Sequence, residues 1–485
     1  MNIKDLKPER VWNHFYSLTQ IPRPSKKEEK AVLFLEKFGK ELGLETIKDE
    51  LGNIIIRKPA SKGMENRKGI IFQAHIDMVP QKNSDKVHDF EKDPIIPRIV
   101  DGWMYATGTT LGADNGLGIA VAMAVLEDKN MVHGPVEALF TIDEEAGMNG
   151  ARGLKGGLLK GDILINLDSE DEGELYVGCA GGLDATAIFN YKEEKTPTGM
   201  EGYKLNITGL KGGHSGMDII LGRGNANKAL VRILLPIMKD LGVRLSSIEG
   251  GSLRNAIPRE GFATLAIPSA KVKDAQAIVE RHFAEMVNEL AAHEPNLNIV
   301  LEKCDTPSVL IDQTTALNLV KSVYACPNGV ERMSDAMPGL VETSNNLAIV
   351  KSANGKIEIN CLLRSSVDSA KDVLGAAITS VFELAGAEVK LAGGYPGWKP
   401  DVNSDILKTM KVVYKNLYGN EPEVKAIHAG LECGILGGNY PNWDMISCGP
   451  TIRSPHSPDE RVEIATVEKW WNYVVEVLKN APVKK

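Results

Sequence analysis

The sequence predicts an α/β protein, a sheet with helices on its faces, interrupted by an α+β insert built of two β-α-β halves. Three observations predict it. Short apolar runs alternate with helix-length amphipathic segments through residues 1–182, the pattern of an α/β sheet. From 183 to 397 the pattern changes, and a strand–helix–strand order occurs twice. From 398 to 485 the α/β style resumes, so the first and third segments form one domain and the second is inserted into it.

Taken in order, "KEEKAVLFLEKFGKELG" is an amphipathic helix. "NIIIRKP", "GIIFQAH", "VEALFTID" and "DILINLD" are short apolar runs bounded by turn residues, as buried strands of a parallel sheet are. "DNGLGIAVAMAVLED" is a mostly apolar helix suited to packing against that sheet. "KEEKTPTGMEG" is a polar turn region, after which "YKLNITGL" opens the insert. "EGFATLAIPSAKVKDAQAIVERHFAEMVNELA" with "NLNIVLEK" makes the first half. "GKIEINCLLRSSVDSAKDVLGAAITSVFELAG" with "AEVKLAG" makes the second, and the helices are expected on one face. "GGYPGWKPD" links back to a helix ("SDILKTMKVVYKNLYG"), a strand ("WDMISCG"), a loop and a last helix ("TVEKWWNYVVEVL").

At 485 residues the chain is long enough for two or more domains. Its 43% hydrophobic and 25% charged residues are ordinary for a soluble globular protein. A formal net charge of -8 argues against nucleic acid or an anionic membrane as the partner. The start, "MNIKDLKPERVW", has no apolar core of a secretory signal, and no apolar run approaches a membrane span, so a cytoplasmic protein is expected. The 6 cysteines form no C-x-x-C pair, so they read as reduced, scattered small hydrophobes, and any metal site must use nitrogen and oxygen.

Chemistry is concentrated at strand ends. His75 and Asp77 follow "GIIFQA" and project to one side if the strand runs that far. Asp143, Glu144 and Glu145 follow "ALFTI", Asp168 follows "DILINL", and His456 lies in the loop after "WDMISCG". Asp114 sits in the glycine-rich turn "TGTTLGADNGLG", where glycines let the backbone approach something closely. Each has a bland alternative: a satisfied polar pair for His75–Asp77, a helix cap for Asp114, a solvated turn for Glu144 and Glu145, a loop histidine for His456. Ligands of open α/β sheets sit at the carboxyl ends of the strands, and four endings of this kind converge there. Carboxylates crowded together need cations. Two histidines and several carboxylates suit zinc, manganese or cobalt, and their number favours two ions with a general base and an orienting carboxylate.

H-x-D after a strand, G-A-D-N-G, D-E-E-A-G and a late P-H-S resemble the di-zinc exopeptidase family that includes aminoacylase, glutamate carboxypeptidase and carnosine-type dipeptidases. "GLKGGHSGMDI", "HAGLECG" and the large insert resemble its aminoacyl-histidine (Xaa-His) dipeptidase branch, over essentially the whole chain. The resemblance implies a mixed-sheet, zinc-exopeptidase-like catalytic domain with a lid inserted in it. It implies two divalent ions, zinc first with cobalt or manganese as alternatives: His75, Asp114 and Asp168 on one, Asp114, Glu145 and His456 on the other. Glu144 would be the general base that takes a proton from water to give a metal-bridged hydroxide, and Asp77 would orient His75. From the lid, His214 would stabilise the oxyanion, Asn255 and Arg364 would hold substrate oxygens, and Gly430 would make a backbone contact. Arg364 would grip the terminal carboxylate, for which a guanidinium fork is suited. For His214 a simple turn residue, and for Arg364 a surface residue, are the alternatives. His428 and Glu432 are weaker candidates for the substrate amine. His14, His88, His133, His282 and His293 read as structural or exposed. The activity implied is hydrolysis of small unblocked dipeptides by a homodimer paired through the lid. An amidohydrolase of N-acyl amino acids and a non-catalytic binding protein on the same fold are the competing readings.

Overall fold

The computed structural model describes residues 3–484. The chain forms two compact units: residues 1–178, 398–426 and 431–485 make the first, and residues 179–397 with 427–430 make the second.

The first unit is built on an eight-stranded sheet. Its order is Glu45–Lys48, Ile54–Lys58, Val136–Thr141, Ile70–His75, Ile163–Asn166, Asp444–Ser447, Glu174–Cys179, Glu423–Ile427. Val136–Thr141, Ile70–His75, Ile163–Asn166 and Asp444–Ser447 are mutually parallel, and the flanking pairs Glu45–Lys48 with Ile54–Lys58 and Asp444–Ser447 with Glu174–Cys179 are antiparallel. The sheet is therefore mixed. Every residue of Ile70–His75, Val136–Thr141 and Ile163–Asn166 is buried, which is why these strands read as unbroken apolar runs. Helix Ala113–Glu127 is buried on nearly every side, which accounts for its lack of a polar face. Helix Asp405–Tyr418 starts where Ser404 Oγ accepts the Leu407 N–H at 3.0 Å and stops at Gly419, whose φ of 80° reverses the chain. The loop expected to carry His456 is the tip of a hairpin. Ile452–Arg453 pairs with Arg461–Glu463, which pairs in turn with Trp103–Ala106, and so the tip is anchored.

The second unit is an antiparallel nine-stranded sheet in which both expected strand–helix–strand halves occur. They are Gly261–Pro268, Val272–Leu290 and Asn298–Cys304, then Lys356–Ser365, Asp368–Leu384 and Glu388–Tyr395. In neither half are the two strands neighbours. Met200–Thr208 lies between the first pair and Gly181–Asn190 between the second, each antiparallel to both partners. A helical crossover returns the chain parallel, and a gap one strand wide accepts an earlier strand running the other way. Tyr203, Leu205 and Ile207, with Ala263, Leu265, Ile267, Ile357, Ile359 and Leu363, bury one face under the helices. Two of those helices, Ala226–Leu241 and Gln313–Ala325, were not anticipated. Asn225 and Asp312 cap them through side-chain oxygens. Among the described residues the six cysteines form no disulfide, and no helix is long and apolar enough to cross a membrane.

Candidate active site

The parallel strands of the first unit deliver their polar residues to one edge of the sheet. His75 ends its strand. Asp77 lies beyond it, yet its Oδ1 is 3.3 Å from His75 Nδ1. The chain leaves helical geometry at Asp114 (ψ 111°), which frees that carboxylate from the helix it begins. Asp114 then faces two ways. Its Oδ1 is 3.0 Å from His75 Nε2, and its Oδ2 is 3.3 Å from His456 Nε2. Asp168 Oδ1 stands 3.3 Å from His75 Nε2, and Glu145 Oε2 stands 3.0 Å from His456 Nε2. The donors thus fall into two sets sharing Asp114. His456 is held at φ 59° and Asp143 at φ 50°, left-handed conformations that cost a non-glycine residue on the order of 1–3 kcal/mol and cluster at functional sites.

The electrostatics are those of a charged cluster under burial. Hydrogen bonds that His456 donates to Asp114 and then to Glu145 raise its pKa to about 11. Burial opposes ionisation of His75, but Asp168, Asp114 and Asp77 outweigh it and raise its pKa well above the ordinary value. Burial lifts Asp168 to about 7 and Glu144 well above the carboxylate range. Burial would lift Asp77 also, but His75, the Glu144 N–H and the Ser25 hydroxyl bring it down to about 2. Asp77 Oδ1 accepts the Glu144 N–H at 2.9 Å, and Oδ2 accepts the Glu145 N–H at 3.2 Å and Ser25 Oγ at 2.8 Å. One carboxylate therefore backs the histidine and pins the turn that carries both glutamates. Glu145 Oε1 is buried and accepts no hydrogen bond. Unsatisfied carboxylate oxygen, two imidazoles and no thiolate make a donor set that fits divalent cations of the zinc, manganese or cobalt type.

The lid candidates group in the second unit. His214 Nδ1 accepts the N–H groups of Gly216 (3.2 Å) and Met217 (3.1 Å), so the ring proton resides on Nε2. Burial and then Arg364 lower the His214 pKa, which keeps the ring neutral. Arg364 is buried, with Nε donating to Ser215 Oγ and Nη1 to Tyr395 Oη, both at 3.3 Å. A side chain at Gly430 would meet the Tyr395 ring and hydroxyl, Cβ to Oη at 3.0 Å. The Asn255 carbonyl accepts the Ser215 N–H at 2.8 Å, and the residue is exposed. His428 is buried with Nε2 2.7 Å from Ser344 Oγ, and burial, then Arg364, lowers it to about 3. Glu432 belongs to the first unit, where its Oε2 accepts Gln73 Nε2 (2.6 Å) and Thr141 Oγ1 (2.8 Å). Of the remaining histidines, His14 pairs with Glu127 and His282 with Glu285, His133 bonds the Gly134 carbonyl, His88 is half-buried and His293 is exposed.

Several residues at the first unit's site carried no sequence signal. Asn115 Nδ2 donates to Asp168 Oδ1, Ser25 supports Asp77, and the buried pair Arg23 and Glu460 grips the turn before Asp114. The close approach that the glycine-rich turn implied is to Arg23: a Cβ at Gly112 (φ 69°) or Gly116 would lie 2.7 or 2.6 Å from its Nη2. An arginine in "IPRPS" and a glutamate in "SPDER" look like any surface charge until the fold buries them.

Comparison with known proteins gives the family of the chain. The profile of peptidase family M20/M25/M40 matches residues 71–480. The chain is 48% identical over 482 residues to the cytosol non-specific dipeptidase of Escherichia coli, spanning 99% of both chains. Its structure matches the aminoacylhistidine dipeptidase of Vibrio alginolyticus with a TM-score of 0.96 at 46% identity, covering 100% of this chain and 99% of that one. At the level of fold alone, aminopeptidase PepT of Bacillus cereus matches with a TM-score of 0.58 at 19% identity, over 98% of this chain and 99% of that one. With the profile running through every strand-end motif from His75 to His456, the chain belongs to peptidase family M20/M25/M40.

Proposed function

We propose that this chain is a cytoplasmic metal-dependent dipeptidase that hydrolyses small unblocked dipeptides, Xaa-His among them. The observation that carries the proposal is the two-faced Asp114 carboxylate, which divides the donors into a His75–Asp168 side and a His456–Glu145 side. His75, Asp114 and Asp168 would hold one divalent ion and Asp114, Glu145 and His456 a second, zinc first with cobalt or manganese as alternatives. Such ions, when bound, polarise a carbonyl and lower the pKa of water to near neutrality.

The chain's own residues supply the rest. Glu144, whose burial raises its pKa, takes a proton from the attacking water and passes it to the leaving amine. Asp77 holds His75 by Nδ1 and fixes the Glu144–Glu145 turn. His214, neutral with its proton on Nε2, is a donor suited to a developing oxyanion. Arg364 takes the terminal carboxylate, Asn255 a further substrate oxygen and Gly430 a backbone contact. The chain acts as a homodimer paired through residues 183–397, whose strand Glu388–Tyr395 leaves a sheet edge for pairing. Light scattering is expected to give twice the 52.7 kDa chain mass.

The test is a substrate panel after chelation and metal restoration. It should hold Xaa-His dipeptides, dipeptides without histidine, and their N-acyl counterparts. Metal-dependent turnover of the unblocked dipeptides is expected. Turnover of N-acyl substrates alone would replace the dipeptidase reading with the amidohydrolase one.

A further inference from the structure

One buried carboxylate in the first unit receives four consecutive backbone N–H groups. Glu460 Oε2 accepts Leu111 N (2.7 Å) and Gly112 N (2.9 Å), and Oε1 accepts Ala113 N (2.7 Å) and Asp114 N (3.2 Å). It is 2% exposed. The opposite side of the same turn is held by Arg23, also 2% exposed, whose Nη2 donates to the Gly112 carbonyl at 2.5 Å. The guanidinium reaches further: Nη1 donates to the carbonyls of Ile76 (2.8 Å) and Asp77 (3.0 Å), immediately after His75. Glu460 itself follows His456 by four residues on the same hairpin. The two side chains thus tie together the segments that bear His75, Asp114 and His456. They do so through backbone atoms, leaving those three side chains to face one another.

We infer that Glu460 is a positioning residue for Asp114, with Arg23 as its counterpart on the carbonyl side of the turn, and that together they set the geometry of the two-faced carboxylate. The inference rests on the metal-site reading above. Asp114 must present one oxygen to each side, which a turn free to rotate about residues 111–114 would not hold. Groups that orient metal ligands in this manner typically change metal affinity or activity 10–100-fold when removed. Gly112 and Gly116 belong to the same device, since a Cβ at either would intrude on the Arg23 guanidinium.

The experiment titrates metal-free full-length chain with Co2+, following calorimetry and the visible absorption of the bound ion. Glu460→Gln removes one acceptor oxygen from a row of four N–H donors, and Glu460→Asp keeps the charge but withdraws it by one methylene. Glu294→Gln is the control. That carboxylate is equally buried and accepts the N–H groups of Lys211 and Gly224, both at 2.8 Å, in the second unit. Glu460→Gln is expected to bind Co2+ about 10–100-fold more weakly with an altered spectrum. Glu460→Asp should fall between it and wild type, and Glu294→Gln should match wild type in both readouts whatever its melting temperature. Wild-type affinity and spectrum in folded Glu460→Gln would overturn the inference. If that variant does not fold, the same result in Glu460→Asp overturns it. Wild-type chain that takes up no Co2+ would remove the metal-site reading and the inference with it.

Discussion

Replacing Asp77 by asparagine tests how one carboxylate serves two ends of the site. The two oxygens accept two backbone N–H groups and the Ser25 hydroxyl, and Oδ1 also faces His75 Nδ1. Asparagine keeps one oxygen. The less costly orientation puts the amide nitrogen at Oδ2, where the Ser25 hydroxyl can turn to accept from it. The Glu145 N–H is then left without an acceptor, at about 1–3 kcal/mol for a buried donor. His75 keeps an acceptor, but a neutral one, and charge-assisted bonds are roughly twice as strong as neutral ones. An independent figure has the same size. The fall of the Asp77 pKa from 3.8 to about 2 corresponds to about 2 kcal/mol favouring the ionised form in the folded protein. Because the folded pKa is depressed, that contribution is present above pH 4 and is lost as pH falls toward 2. Asp77→Asn should therefore melt a few degrees lower when metal-free at pH 7, and bind metal roughly 10–100-fold more weakly. Calorimetric melting and metal titration of the same preparation read both effects. Asp77→Asn with wild-type melting and wild-type metal affinity would show that the carboxylate neither backs His75 nor pins the turn.

Other perturbations separate the remaining roles. Glu144→Gln should retain bound metal and fold while losing about 10²–10⁴-fold in kcat, the usual share of a general base; near-full activity would place the base elsewhere. His214→Ala should lower kcat with little change in KM, whereas Arg364→Ala should mainly raise KM, and steady-state kinetics on one dipeptide distinguishes the two. Burial raises Asp168 to about 7 and Glu432 to about 8, and hydrogen bonds donated to Asp114 and Glu145 raise His456 to about 11. Above about pH 7, where the lowered histidines His214 and His428 are neutral in both states, the folded metal-free protein holds protons that the unfolded chain releases, so its stability should fall as pH rises from about 7 to 9. Melting of chelated protein across that range checks the sign, and a rising midpoint would contradict it.

Much of this was legible because it is local. The runs at 70–75, 136–141 and 163–166 are apolar because both faces are covered, and a polar residue at the end of such a run stands out. The two halves of the insert were legible as element order. Their adjacency was not, since Met200–Thr208 and Gly181–Asn190 enter the sheet from elsewhere in the chain. Arg23 and Glu460 were illegible for a related reason. Their partners are backbone groups 53 to 89 and 346 to 349 residues away, and a main-chain N–H or carbonyl leaves no mark on the sequence. Glu432 was visible as a motif residue, but its burial against Gln73 and Thr141 was not, because nothing in "HAGLECG" tells which way its helix faces the sheet.

The most direct test is the metal count of the active protein. Chelated chain is titrated with Zn2+ while bound metal is measured by elemental analysis and hydrolysis of an unblocked dipeptide is followed in the same samples. Two ions per chain are expected, with full activity reached only as the second site fills and with Asp114→Asn weakening both sites. Full activity at one ion per chain would contradict the shared-carboxylate centre.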